Sequence, residues 1–292
     1  MLKFITPLLF CSLSAFASDP ETIVFSFQKQ KNPEDLKAAT QTVSEYLSKK
    51  ISKKVEVLVP TSYGATVQGL ISNKVHIAYL DSLPYILASA ETPLEILAIE
   101  KRNGRSDYDS LMVVAKDSPI KSIKDFKGKR IAFSSQTSTS GFLFPFYRLV
   151  EEKQVKNQVE LNKYFSQVLF AGGYDKALLA VANGQVDVAA FSDYALEGPK
   201  ADLYGTNEIR SKIKVLARTP GVPTHLIACS KKLSPELIKK IQSALLDLAK
   251  EKPELLASVY GAAELTLPAK THVDKTKEAL KMTGLEVKTF VK

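Results

Sequence analysis

Apolar and polar positions along this chain fall into short blocks whose spacing alternates between strand-like and helix-like. Ile23-Val24-Phe25-Ser26-Phe27 reads as a first buried strand. From Pro33 to Lys50 the apolar positions Leu36, Ala39, Val43, Leu47 and then Ile51 recur at helical spacing. Val55 to Val59 is a second strand, and Pro60-Thr61-Ser62 leads into a helix carrying Val67, Leu70 and Ile71. Val75 to Leu80 is a third strand, Asp81-Ser82 caps a helix from Leu83 to Ala90, and Leu94 to Ile99 is a fourth strand. This alternation predicts a mostly parallel sheet covered by helices.

Asn103-Gly104-Arg105-Ser106-Asp107 breaks the pattern, and Tyr108 to Ala115 reads as a long strand leaving the first unit. A second alternation begins after Lys127-Gly128-Lys129. It predicts strand 130–134, helix 140–153, strand Gln167 to Phe170, a helix from Tyr174 to Ala182, strand Val186 to Phe191 and a helix from Asp193 to Tyr204. Ile213 to Arg218 and Leu226 to Ser230 are strands heading back, and Ser234 to Leu256 and Thr271 to Met282 are amphipathic helices. The fold class is therefore α/β with two lobes: 18–107 with 218–292 as lobe 1, and 108–217 as lobe 2. The connections near 105–112 and 213–225 would hinge a ligand cleft.

Residues 1–17 change the picture. Lys3, a mostly apolar run from Phe4 to Phe16, and Ala15-Phe16-Ala17 form a signal peptide with Ser18 as the expected mature start. The run is too short for a membrane span, and a lipid anchor at Cys11 is disfavoured by Phe10 before it. The expected location is the periplasm. Cleavage leaves Cys229 without a disulfide partner, in an apolar run that suits a buried thiol. The 292 residues carry a formal charge of +9, or +8 without Lys3, with 45% hydrophobic and 24% charged residues. The lysines are scattered, no basic stripe with aromatics is present, and nucleic acid is not an expected partner.

The candidate chemistry lies in Ser134-Ser135-Gln136-Thr137-Ser138-Thr139-Ser140-Gly141-Phe142, six hydroxyls and a glycine in nine residues, between an apolar strand and an apolar helix. Such a strand-to-helix turn offers unpartnered N–H groups, uncharged hydroxyl donors and close backbone approach, which suits a tetrahedral oxyanion. An ordinary capped helix behind a polar loop would carry the same residue types.

Ser118 to Phe133, with Pro119-Ile120-Lys121-Ser122-Ile123-Lys124-Asp125-Phe126-Lys127-Gly128-Lys129-Arg130-Ile131-Ala132-Phe133, resembles the s-i-x-D-L-x-G-K-x-v-a segment of type II periplasmic binding proteins. Ser138-Thr139-Ser140-Gly141-Phe142-x-x-Pro145 resembles the S-T-S-G-Y/F-x-x-P motif of the phosphonate-binding proteins of ABC importers. Ser62-Tyr63-Gly64-Ala65, the Ala78-Tyr79-Leu80-x-x-x-Pro84-Tyr85 segment, and Ala180-Val181-Ala182-Asn183-Gly184-Gln185-Val186-Asp187-Val188-Ala189 extend the match. The resemblance implies that Ser138, Thr139 and Ser140 wrap phosphorus oxygens, that Tyr63 donates across the cleft, and that Tyr85 lines the pocket. Many members have histidine where Tyr174 stands in Gly172-Gly173-Tyr174-Asp175; Tyr174 either supplies a hydroxyl instead or packs.

Asp193-Tyr194 looks like the Asp-Tyr of members that bind small ligands such as phosphite. Asp193 would accept a proton-bearing ligand oxygen, and Tyr194 would cover a non-oxygen substituent; a plain helix cap is the alternative for Asp193. His225 is expected to be an exposed hinge residue, with a ligand role as the alternative. The implied function is an extracytoplasmic solute-binding protein, a monomer without cofactor or metal, that hands a small phosphorus oxyanion such as phosphite or methylphosphonate to an inner-membrane ABC permease. A sensor for the same anions is an alternative. A serine hydrolase is a weaker one: none of the three histidines adjoins the hydroxyl run, and no G-x-S-x-G, H-E-x-x-H or Cys/His metal spacing occurs.

Overall fold

The computed structural model describes residues 18–27, 33–60, 62–198 and 201–286. The leader read at 1–17 lies outside the described residues. In the first unit β1 (Thr22–Phe27), α1 (Pro33–Ile51), β2 (Lys54–Leu58), α2 (Tyr63–Ile71), β3 (Ile77–Leu80), α3 (Ser82–Ser89) and β4 (Leu94–Lys101) alternate as expected. β5 (Asp107–Ala115) then crosses into a second unit with β6 (Arg130–Phe133), α4 (Phe144–Glu151), α5 (Gln158–Tyr164), β7 (Gln167–Phe170), α6 (Tyr174–Ala182), β8 (Val188–Ser192), α7 (Asn207–Ser211) and β9 (Ile213–Pro223). β10 (Leu226–Ser230) returns to the first unit, followed by α8 (Pro235–Glu251), α9 (Pro253–Tyr260), β11 (Glu264–Thr266) and α10 (Asp274–Thr283).

The first sheet has the order β11-β4-β10-β3-β1-β2 and the second β7-β6-β8-β5-β9. β1 pairs in parallel with β2 and β3, while β10 runs antiparallel between β3 and β4. β6 likewise pairs in parallel with β7 and β8, while β5 runs antiparallel between β8 and β9. Each sheet thus takes one reversed central strand from a chain crossing. β3, β8 and β10 are buried along their whole length, which explains why their sequences read as unbroken apolar runs.

Several placements differ from the sequence reading: the helix read over Ser234 to Leu256 is broken at Lys252 into α8 and α9, where Pro253 starts the second helix, and α5, α7 and β11 are additional elements. The segment expected as one helix from Asp193 to Tyr204 contains two separate 3-10 turns, Asp193–Ala195 and Ala201–Leu203; the Gly198-Pro199 step in the sequence opposes a continuous helix there. The helix expected near 271–282 within lobe 1 is α10, and it packs mainly on α4, β9 and the hydroxyl turn of the second unit. Its buried Ala279 and Leu280 share a core with that unit.

The two crossings are tied together. Thr224 Oγ1 donates to the carbonyl of Glu100 at 2.7 Å and contacts that of Ser106 at 3.1 Å, and the Glu100 N–H donates to the His225 carbonyl at 3.0 Å. The second unit is anchored by an aromatic cluster. Phe142 lies 5.1 Å from both Phe133 and Phe170, centroid to centroid, with edge-on packing. A fully buried side chain of this size contributes roughly 2–3 kcal/mol, so the residue that ends the hydroxyl run also fixes it to the sheet.

Candidate functional site

The hydroxyl run leaves β6 and enters α4 through a π-helical turn, Thr139–Leu143. Ser138 is its N-cap: Ser138 Oγ accepts the Gly141 N–H at 3.0 Å. Gly141 is required by space. A Cβ there would overlap Ser134 Oγ, sit 2.5 Å from Ser134 Cβ and 2.9 Å from Ser138 Oγ. Ser134 is itself held, donating to the Ala190 carbonyl at 2.8 Å. Ser138, Thr139 and Ser140 are all fully buried.

Each of the three faces a different neighbour. Thr139 Oγ1 accepts the Leu83 N–H of α3 at 3.0 Å, so a lobe-2 hydroxyl meets the first turn of a lobe-1 helix. Ser82, beside it, is 2.7 Å from Thr276 of α10. Ser140 Oγ shares a hydrogen bond with Tyr174 Oη at 2.8 Å and receives a longer one, 3.4 Å, from Tyr108 Oη. Ser110 Oγ donates to the Ser140 carbonyl at 2.6 Å.

Tyr174 therefore stands in the hydroxyl cluster. Burial, then the charge of Asp81, pushes its phenol up to about 12. Tyr108 is raised well above the usual range by burial, Tyr174 and Asp81. Both phenols keep their protons at neutral pH and can donate to an anion.

Tyr194 is buried, and its hydroxyl has no hydrogen-bond partner among the described residues; the same holds for Ser192 Oγ. The Tyr194 ring packs within 6 Å of Tyr108 and Tyr174 and carries the Arg102 guanidinium 4.2 Å above it. Asp193 is held by backbone N–H groups. Its oxygens accept the Asp109 N–H at 3.2 Å and the Tyr194 N–H at 2.7 Å. It also lines a recess of about 490 Å³ with Arg102, Arg105 and Glu197. Burial raises its pKa.

Tyr63 opens α2, and its side chain lies outside the described ones. Tyr85 lies in the first turn of α3 and is packed against the core; burial, Cys229 and Glu95 raise its phenol. Tyr108 at the start of β5 also reaches the cluster, through Ser140; the sequence hid it at the start of an apolar strand.

His225 corrects an expectation. It is 1% exposed rather than a surface hinge residue. Its Nε2 is 2.5 Å from Asp81 Oδ1 and its Nδ1 is 2.7 Å from Glu100 Oε1. Glu100 also accepts Tyr79 Oη and Arg102 Nε, each at 2.7 Å. Burial alone would lower the His225 pKa, but the two carboxylates outweigh it and push it up to about 9. Burial alone would raise Glu100, but Arg102 and His225 bring it down to about 2. The ring nitrogens of the other histidines are committed elsewhere: His76 Nδ1 accepts the Val24 N–H and His272 Nε2 lies 2.9 Å from the Thr224 carbonyl. No group of three or more metal-ligating side chains occurs among the described residues.

Comparison with known proteins places this geometry. The family profile for "ABC transporter, phosphonate, periplasmic substrate-binding protein" matches residues 25–272. The chain is 30% identical over 231 residues to the phosphate-import protein PhnD of Mycolicibacterium smegmatis, covering 77% of this chain and 71% of that one. It is 30% identical over 236 residues to the phosphonates-binding periplasmic protein of Escherichia coli, covering 79% and 66%. The fold matches that of PhnD1 from Prochlorococcus marinus in complex with methylphosphonate, with a TM-score of 0.76, 21% identity, and coverage of 90% and 98%.

Proposed function

The chain belongs to the family of periplasmic phosphonate substrate-binding proteins of ABC transporters, and from that premise we propose that it captures a small phosphorus oxyanion and delivers it to an inner-membrane permease. Phosphite and methylphosphonate are the favoured ligands. The single observation that carries this reading is the convergence of buried, uncharged donors at one point. Ser140 at the π-turn meets Tyr108 and Tyr174, with Ser138 and Thr139 buried in the same turn and the Tyr194 ring packed on both tyrosines. Neutral donors aimed into a water-poor site bind an anion without a counter-charge to desolvate.

Tyr108 and Tyr174 pack on Tyr194 with centroids 5.2 and 5.9 Å from it, and this aromatic surface would suit a small apolar substituent on phosphorus. Tyr194 would meet the hydrogen or methyl substituent on phosphorus. Tyr63, at the start of α2, would add a donor across the cleft. The protein acts as a carrier and not as an enzyme, works as a monomer, and is exported through the leader at residues 1–17.

Isothermal calorimetry with phosphite, methylphosphonate, aminoethylphosphonate and phosphate tests the reading. Phosphite or methylphosphonate should bind most tightly. No heat with any of the four would end it.

A further inference from the structure

Resting on that functional reading, we propose that Arg102 is a positioning residue for ligand selection: it holds the Tyr194 ring as the wall between the hydroxyl cluster and the neighbouring recess, and so keeps the site to small substituents on phosphorus.

Arg102 is fixed in backbone and in side chain. It exchanges backbone hydrogen bonds with Arg105 at 2.9 and 3.0 Å, around Asn103 and Gly104, whose φ values of 52° and 75° belong to a tight hairpin turn. Its Nε donates to Glu100 Oε1 at 2.7 Å, and its Nη2 donates to the Tyr260 carbonyl at the end of α9 at 3.2 Å. A planar guanidinium bonded on two sides has its plane set by the first unit.

That plane faces a ring from the other unit. The guanidinium carbon lies 4.2 Å from the Tyr194 centroid. Tyr194 comes from the three-residue 3-10 turn Asp193–Ala195 that follows β8. Its ring packs on Tyr108 and Tyr174, the two phenols that bond Ser140. Tyr194 and Arg102 also line the recess of about 490 Å³ together. The ring thus stands where the hydroxyl cluster and the recess adjoin. A longer arm on phosphorus would need that recess, and would have to turn the ring out from under the cation to enter it.

A partner for Glu100 alone would not need this geometry. His225 Nδ1 and Tyr79 Oη already reach the same carboxylate at 2.7 Å, and a lysine ammonium could add charge there. Bonding Glu100 and the Tyr260 carbonyl while lying flat over a ring calls for the planar fork of arginine. The Arg102 side chain is 14% exposed, so the stack is largely out of water, where a cation over a phenol ring holds most strongly.

The test is calorimetry with methylphosphonate and n-propylphosphonate on wild type, Arg102→Met, Tyr194→Leu and the double variant. Wild type should prefer methylphosphonate. Arg102→Met should shrink that preference about tenfold, the size of a lost, largely desolvated cation–π contact, by weakening methylphosphonate and strengthening n-propylphosphonate. Tyr194→Leu should shrink it as far, and the double variant no further, because Arg102 acts through the ring. Arg102→Lys keeps a charge beside Glu100 and guards against loss of folding; without the fork it should shift the preference in the same direction. A wild type that binds n-propylphosphonate as tightly as methylphosphonate overturns the inference and leaves the carrier reading standing. So does a wild-type preference in Arg102→Lys, or a preference in the double variant that falls by the product of the two single effects. No binding of either anion to wild type removes the functional reading and this inference with it.

Discussion

Raising the pH should weaken the ligand-free protein through His225. Between its two carboxylates, His225 keeps its proton up to about 9, against 6.5 for an ordinary histidine. The folded value lies above the unfolded one. The stabilisation is therefore complete below about pH 6.5, declines by about 1.4 kcal/mol per unit above it, and is gone beyond about pH 9. Across that window the loss is on the order of 3 kcal/mol, a large part of the stability of a typical domain. The other two histidines do not interfere: burial lowers both His76 and His272, so their effect falls below pH 6.5. Burial pushes the Cys229 thiol up to about 12 from its ordinary value of 9, so it too acts outside the window. Urea unfolding at half-unit steps, followed by circular dichroism, measures the slope. His225→Gln should flatten it, and should cost about 3–5 kcal/mol at the acid end, where two buried carboxylates lose their cation. A wild-type stability that does not change over the window, or an equal slope in the variant, would refute the reasoning.

Gly141→Ala should destabilise by about 1–3 kcal/mol in thermal or urea melts, because the new Cβ meets a Ser134 that cannot turn away from Ala190. Tyr174→Phe removes the 2.8 Å partner of Ser140 and should weaken phosphite or methylphosphonate binding about tenfold by calorimetry. Its melting temperature should move little. The double variant Thr139→Ala with Ser140→Ala removes the contact to α3 and the central hydroxyl together. It should abolish detectable binding in the same assay; unchanged affinity would sink the proposed function. Glu100→Gln should lower the His225 pKa, seen by NMR as a move of the imidazole titration midpoint to lower pH, since one of its two counter-charges is gone.

Local features were legible in the sequence and long-range ones were not. The hydroxyl turn declares itself because strand, cap, glycine and helix are adjacent in the chain, and the fully buried strands declare themselves as apolar runs. The π-helical geometry at Thr139 carries no local signal, and the close fit of Gly141 against Ser134 is visible only in the folded chain. The charged line from Arg102 to Asp81 was hidden for a different reason. Its members come from β4, the α3 cap and the β9–β10 junction, with 125 residues separating Glu100 from His225. Each alone looks like a surface charge, and only the sheet order brings them together.

The bond from Thr224 across to Glu100 and Ser106 has a mechanical consequence. It couples the strand that leaves the first unit to the strand that returns to it. A bend in one pulls on the other through bonds that each contribute about 1 kcal/mol, so the two strands are biased to bend in step, beside the buried charges of Glu100 and His225.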